Sequence, residues 1–202
     1  MNTIDYVSIE KFLQEIEEIS KRVSRDNIAK AIELLYEAWK DDKQIFLIGN
    51  GGSASTATHF ASDLSKSCSV ANKRRFRAIA LTDNAPLISA LTNDEGWENV
   101  YTWQLGNLMN DGDLLIVISV HGGSGSDKAG LWSQNLLKAV KFIKDRKGKV
   151  IGLSGFDGGV LRDVSDACIT VPINSTPHVE GFHVVLTHLI SSAVRAKIEK
   201  TP

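Results

Sequence analysis

Imidazoles and carboxylates recur in this chain at helical spacings, a combination that moves protons or holds a divalent cation. His59 and Asp63 stand four residues apart in Ala57-Thr58-His59-Phe60-Ala61-Ser62-Asp63-Leu64, so on a helix they share one face. A second concentration runs Pro177-His178-Val179-Glu180-Gly181-Phe182-His183 and on through Val184-Val185-Leu186-Thr187-His188. Three of the five histidines fall within eleven residues there, in apolar company and beside a carboxylate. Singly, each has an ordinary structural account: a solvated His–Asp pair, or a core imidazole with its hydrogen bonds met. Together His59, Asp63, Glu180 and His188 suit Zn²⁺ or a similar divalent ion. The same carboxylate and imidazole types serve as an acid–base pair without metal. Eight residues separate Glu180 from His188, about 12 Å along a regular helix. One ion takes both only with far-reaching side chains, an irregular first turn or ligands from different subunits. Glu180 with His183 is the easier local pair. The residues alone leave these roles open.

A second kind of chemistry sits in loops rich in Gly and Ser. Gly49-Asn50-Gly51-Gly52-Ser53-Ala54-Ser55, Ser119-Val120-His121-Gly122-Gly123-Ser124-Gly125-Ser126 and Ser154-Gly155-Phe156-Asp157-Gly158-Gly159 each follow a short apolar run. Glycines at a strand-to-helix turn let backbone amides approach an anion, and the helix N-terminus favours it further. Gly and Ser also serve turns that bind nothing; two such loops on one sheet edge point to a phosphate. Gly52-Ser53-Ala54 lacks the lysine of a nucleoside-triphosphate loop. Gly49-x-Gly51-x-x-Ala54 satisfies the loose dinucleotide pattern, but Asp83 lies well beyond the ~20 residues expected of a ribose-binding acid. A monophosphate on a small polar molecule fits better than NAD.

The elements that must position these groups follow from hydrophobic period. Residues 45–48, 78–81, 114–118, 150–153 and 168–171 are continuous apolar runs, as in parallel strands buried on both faces. Helical segments at 53–67, 86–91 with 97–108, 128–146 and 160–164 separate them, and a long helix over 178–200 follows. The expected fold is α/β, a doubly wound five-stranded parallel sheet. Residues 8–39 carry two apolar stripes at helical period before the first strand, with Asp26-Asn27 as a cap or bend between them. Such stripes need the sheet or another subunit, and oligomerisation is the expectation. With 202 residues, the chain is the size of one α/β domain.

Composition narrows the function classes. The net charge of −1, from 23 basic against 24 acidic residues, removes the basic surplus a nucleic-acid binder uses. The short clusters at Lys73–Arg77 and Lys144–Lys149 precede strands, as solvated turns do. Two cysteines, Cys68 and Cys168, build no disulfide framework. No basic-then-apolar leader opens the chain, and no apolar run is long enough for a bilayer. A cytoplasmic protein is expected, with neither membrane nor nucleic acid as partner.

Gly49-Asn50-Gly51-Gly52-Ser53-Ala54 and His59-Phe60-Ala61-Ser62-Asp63-Leu64 resemble the GNGGSA…HFAxEL motif of the phosphoheptose isomerases. These are a branch of the sugar-isomerase (SIS) domain superfamily, with a flavodoxin-like sheet. The resemblance continues through Asn93-Asp94, Ser119 to Ser124, Gly155 to Gly159 and the Glu180–His188 helix, and covers essentially the whole chain. It implies a homotetramer with active sites between subunits. The implied reaction is aldose–ketose isomerisation of a sugar phosphate, typically sedoheptulose 7-phosphate to D-glycero-D-manno-heptose 7-phosphate. By position, Asn50, Gly51, Gly52, Asn93, Asp94 and Glu180 would contact substrate, and Ser119, His121 and Ser124 would hold the phosphate. Asp63 would be the base and His188 the second acid–base group. Zinc, where members bind it, would use His59, Asp63, Glu180 and His188.

Several residues depart from the family pattern. Asp63 is one methylene shorter than the usual Glu, and Glu180 replaces a Gln, adding negative charge that favours a cation. Val120-His121 replaces Thr-Ser, and an extra stretch near Gly125–Trp132 lengthens the loop, so that Ser133-Gln134-Asn135 offers a second alignment. Two alternatives stand beside the isomerase: a non-catalytic SIS module that senses a sugar phosphate or docks on a protein, and a dinucleotide-binding oxidoreductase, which would bind NAD(H).

Overall fold

The protein was analysed as a computed structural model, which describes residues 6–123 and 133–201. Ser124 and the start of the expected 128–146 helix lie outside the described residues. Two helices, α1 (Tyr6–Arg22) and α2 (Arg25–Lys40), precede the first strand. The break falls at Ser24, not at Asp26-Asn27: the Ser24 hydroxyl accepts the backbone N–H of Asn27, an N-cap that leaves Asp26 in the first turn of α2.

From there strands and helices alternate. β1 (Gln44–Gly49) leads into α3 (Gly52–Ser62), which runs on as a π-helical turn over Asp63–Ser67. β2 (Arg77–Ala80) is followed by α4 (Ala85–Glu95), a 3₁₀ turn at Trp97–Asn99 and α5 (Val100–Leu108). β3 (Leu114–Ile118) precedes α6 (Gln134–Lys144), β4 (Lys149–Gly155) precedes α7 (Gly159–Val164), and β5 (Ala167–Val171) precedes α8 (Thr176–Glu199). The five strands pair in parallel in the order β2-β1-β3-β4-β5.

Continuous apolar runs are what a sheet covered on both faces requires. Ile45 and Leu47 face a layer built from α1, α2, α3 and α8, joined by Ile116 and Ile151 across the register. Phe46 and Ile48 face the opposite layer of α5, α6 and α7, with Leu115, Val117 and Val150. The order of strand addition reverses between β1 and β3, and in an open parallel sheet the crevice beyond that switch point is where ligands bind.

Not every helix finds its partner within the chain. On α4 no residue is buried. Tyr6, Val7, Ile9, Phe12 and Leu13 of α1 are exposed, as are Trp97 and Trp103. No helix among the described residues is long and apolar enough to cross a membrane.

Candidate active site

The switch point holds a cleft of about 270 Å³. Asn50, Gly51 and Ser53 line it from the end of β1 and the start of α3. Ser119, Val120, His121 and Gly123 line it from the end of β3, with Ser133 and Glu180 closing it. None of these described lining residues is Lys or Arg, so an anion here meets amides, hydroxyls and the His121 imidazole. The β3 loop is held in place by its own backbone. Ser119 Oγ accepts the Gly123 N–H, Leu161 N donates to the Gly122 carbonyl, and Gly155 N donates to that of Val120. Gly122 has φ +60, and a Cβ there would lie 1.9 Å from the Gly158 carbonyl oxygen, so no side chain fits. His121 is presented from this turn with its ring tilted against Phe156, centroids 4.3 Å apart. Ser133, not among the residues first expected to bind, lines the cleft at the head of α6.

Glu180 belongs to this cleft and not to a cation cluster with His59, Asp63 and His188. Its carboxylate packs on the Gly51-Gly52 turn, where a Cβ on Gly52 would meet Oε1 at 2.5 Å. The remaining three residues do converge, with one ligand atom from each lying within 4.8 Å of the others. Asp63 Oδ2 is 3.4 Å from His59 Nε2 and 3.1 Å from His188 Nδ1. The imidazoles meet edge to face at 4.8 Å. Asp63 is 13% exposed while His59 and His188 stand about half in solvent. Ser67 Oγ donates to Asp63 Oδ1 at 3.3 Å; Oδ2 is buried with no hydrogen bond of good geometry. Asp63 opens the π-helical turn, its carbonyl accepting from Cys68 five residues on. Such turns cluster at functional sites, and hydrophobic period does not reveal them. Asp63 and His188 open onto a separate cleft of about 260 Å³ shared with Ser67, Ser191, Ser192 and Arg195.

The three histidines of α8 go three ways, because each five-residue step turns a helix by roughly 140°. His188 joins Asp63. His178 faces α1: it stacks on Phe12 at 3.9 Å, pairs with Glu15 at 3.1 Å and meets the Ser175 hydroxyl at 2.7 Å. His183 is fully buried against the sheet, its Nε2 donating to the Ser154 carbonyl at 3.0 Å. Asn93 and Asp94 lie exposed at the end of α4, bonded to each other at 2.7 Å and outside the cleft lining.

Burial drives the His183 imidazole down to about 4, against a smaller upward pull from its bond to Ser154. The unfolded chain takes up a proton there below about pH 6.5, and the folded chain does not until about pH 4. The stability this neutral histidine contributes is therefore full above pH 6.5 and is lost as pH falls toward 4, by up to about 1.4 kcal/mol per pH unit. Urea unfolding of the wild type and His183→Gln across pH 7 to 4 checks this. The slope should be steeper in the wild type, and equal slopes would remove His183 from the account.

Comparison with known proteins agrees with this geometry. Residues 10–155 match the SIS domain family. A phosphoheptose isomerase from a Nitratiruptor species is 37% identical over 92% of this chain and 96% of its own length. The lincomycin biosynthesis protein LmbN of Streptomyces lincolnensis is 36% identical over 92% of this chain and 68% of its own. The structure of a phosphoheptose isomerase from Francisella tularensis superposes with a TM-score of 0.83 at 26% identity, covering 97% of this chain and all of that one. The relative from Neisseria gonorrhoeae gives 0.80 at 28% identity, over 95% of this chain and 96% of that one. A cleft at the switch point, a carboxylate held between two imidazoles and likeness along almost the full length thus lead to one assignment: the chain belongs to the phosphoheptose isomerase family of SIS-domain proteins and is an isomerase.

Proposed function

We propose that the protein interconverts the aldose and ketose forms of an open-chain sugar phosphate, with sedoheptulose 7-phosphate and D-glycero-D-manno-heptose 7-phosphate as the pair. The observation that carries this is Asp63 held between His59 and His188, a set of groups that a binding module does not need. That favours catalysis over the non-catalytic alternative. Asp63 takes the proton from the carbon beside the carbonyl and returns it to the neighbouring carbon, through an enediol(ate). His188 donates to and accepts from the sugar oxygens. Phosphate sits in the switch-point cleft, held by Ser119, Ser133, backbone amides and His121, with Ser124 at the last serine position of the family's phosphate loop. Asn50, Gly51, Gly52 and Glu180 contact the carbon chain, and a neighbouring subunit brings Asn93 and Asp94.

The trio fits a divalent cation of the zinc type. Two imidazoles and a carboxylate are donor types that zinc takes, their ligand atoms gather within 4.8 Å of one another, and the buried Asp63 Oδ2 lacks a well-formed hydrogen bond. His59, Asp63 and His188 would hold the ion, and Glu180 would complete the set only from another chain. An ion held there would supply Lewis-acid chemistry at the sugar carbonyl and its developing oxyanion. The exposed apolar residues of α1 and the unburied α4 support assembly as a homotetramer, with residues 1–40 in the interface and 1–202 as one SIS domain. We place it in the cytoplasm, where phosphorylated sugars are held.

A turnover screen over C5 to C7 sugar phosphates, run on metal-depleted and zinc-reconstituted protein, tests this reading. Heptose phosphate should turn over best, and zinc should raise the rate about 10-fold or more. No turnover of any sugar phosphate in either form would sink it, and full turnover after chelation would remove the metal alone.

A further inference from the structure

Beneath the cleft, Asn50 and Asn135 form a reciprocal amide pair. Asn50 Nδ2 donates to Asn135 Oδ1 at 3.1 Å, and Asn135 Nδ2 donates to Asn50 Oδ1 at 2.8 Å. The polarity of this pair is dictated from outside it. The backbone N–H of Leu136 lies 2.9 Å from Asn135 Oδ1, and an N–H needs an acceptor, so that atom is oxygen. The other end of Asn135 is then NH₂, and the Asn50 atom facing it must be oxygen too. Tyr101 pins the same strand end: its hydroxyl gives its one hydrogen to the Gly49 carbonyl at 2.5 Å. Burial pushes this phenol up to about 12, so it keeps that hydrogen at neutral pH.

One hydrogen is left over on the Asn50 side. An amide NH₂ carries two; Asn135 takes one, and the described residues supply no acceptor for the second. Asn135 is fully buried, whereas Asn50 lines the cleft. Glu180 lies at the same end, its carboxylate on the Gly51-Gly52 turn. A carboxylate repels phosphate, so this end of the cleft takes the carbon chain.

We infer that Asn135 is a positioning residue, which fixes the Asn50 amide as a one-way hydrogen-bond donor to a sugar oxygen while Glu180 beside it accepts. This rests on the reading of the cleft as a sugar-phosphate site. With a fixed donor next to an acceptor, that end of the cleft is suited to a polyol chain and unsuited to a deoxy or anionic one.

Asn135→Ser tests this role, since serine keeps a side-chain oxygen beside the Leu136 N–H but cannot hold the Asn50 amide. The expected result for sedoheptulose 7-phosphate is a fall in kcat/KM of about 10- to 100-fold. Inorganic phosphate, measured as a competitive inhibitor, should bind within about 3-fold of wild type. Asn50→Ala should fall as far, and the Asn50→Ala/Asn135→Ser double variant no further than Asn50→Ala alone, because Asn135 acts through Asn50. Losses that multiply in the double variant, a parallel loss of phosphate affinity, or an Asn135→Ser protein with wild-type kcat/KM would each overturn the inference. Should Asn135→Ser not fold, Asn50→Ala carries the test from the cleft surface: equal losses for sugar phosphate and inorganic phosphate would defeat the sugar-oxygen assignment. A wild type that neither turns over a sugar phosphate nor binds phosphate defeats the functional reading, and this inference with it. An active wild type with unaffected variants defeats this inference alone.

Discussion

Asp63→Asn is expected to lower sugar-phosphate turnover by about 10²- to 10⁴-fold, the range a positioned proton carrier contributes, in a protein that still folds. Asparagine matches the shape of aspartate but neither takes a proton at neutral pH nor offers an anionic ligand. The fold should tolerate the change because the two imidazoles that Asp63 touches are about half exposed, so water replaces what they lose. Turnover, and exchange of solvent deuterium into the carbon beside the carbonyl, are the measurements, with thermal melting as the fold control. Deuterium exchange at the wild-type rate in Asp63→Asn would end Asp63's role as base. Asp63→Glu separates charge from reach. It keeps the carboxylate and moves it by one methylene, and it should retain more turnover than Asp63→Asn. Zinc affinity distinguishes the two roles of the residue. If Asp63 is chiefly a ligand, excess zinc restores Asp63→Asn; if chiefly a base, it does not.

That this residue could be picked out beforehand reflects how directly some features follow from residue order. The five strands lie where the apolar runs lie, within one or two residues; β1, β3, β4 and β5 are covered on both faces and so apolar almost throughout, while edge strand β2 leaves Ile79 exposed. The His59–Asp63 contact follows from a spacing of four on a helix. The separation of Glu180 from His188 follows from the rise of α8. Other features are written in interactions that period does not report. The π turn after Asp63 leaves the hydrophobic stripe unbroken, so the segment reads as regular helix. Ser24, not Asp26 or Asn27, caps α2, since either polar type suits a cap and only backbone geometry chooses. Three histidines in eleven residues look like one cluster until each five-residue step is turned through the helix. In the sequence Asn135 stands out only through the second alignment, Ser133-Gln134-Asn135, in the middle of the expected 128–146 helix, and its partner Asn50 is 85 residues away in sequence.

Mixing two inactive variants is expected to restore turnover to about 10²-fold or more above either parent, if the acid–base trio and the phosphate cleft of one working site come from different chains. Ser133→Asp supplies the second parent. Ser133 lines the cleft in a left-handed conformation that Asp tolerates. At about 4 Å and an effective dielectric near 20, a carboxylate facing a phosphate costs about 4 kcal/mol, so KM should rise about 10²- to 10³-fold. Three observations make the two-chain arrangement the expected one. Asp63 and His188 open onto a cleft lined with Ser191, Ser192 and Arg195, which shares no lining residue with the switch-point cleft. Asn93 and Asp94 project, exposed, from a helix with no fully buried residue. Glu180 touches the phosphate cleft while His188, about 12 Å further along α8, touches the other. The opposing geometry is one extended seven-carbon chain reaching between both clefts of a single subunit, and it predicts something different. Asp63→Asn and Ser133→Asp, unfolded and refolded together, would then give only the sum of their separate activities, and dilution to the monomer would leave wild-type turnover intact. With sites shared between chains, hybrid assemblies carry some sites with an intact trio facing an intact cleft, and wild-type activity falls with dilution as the oligomer parts. Additive mixtures together with a fully active monomer would place the whole reaction within one subunit.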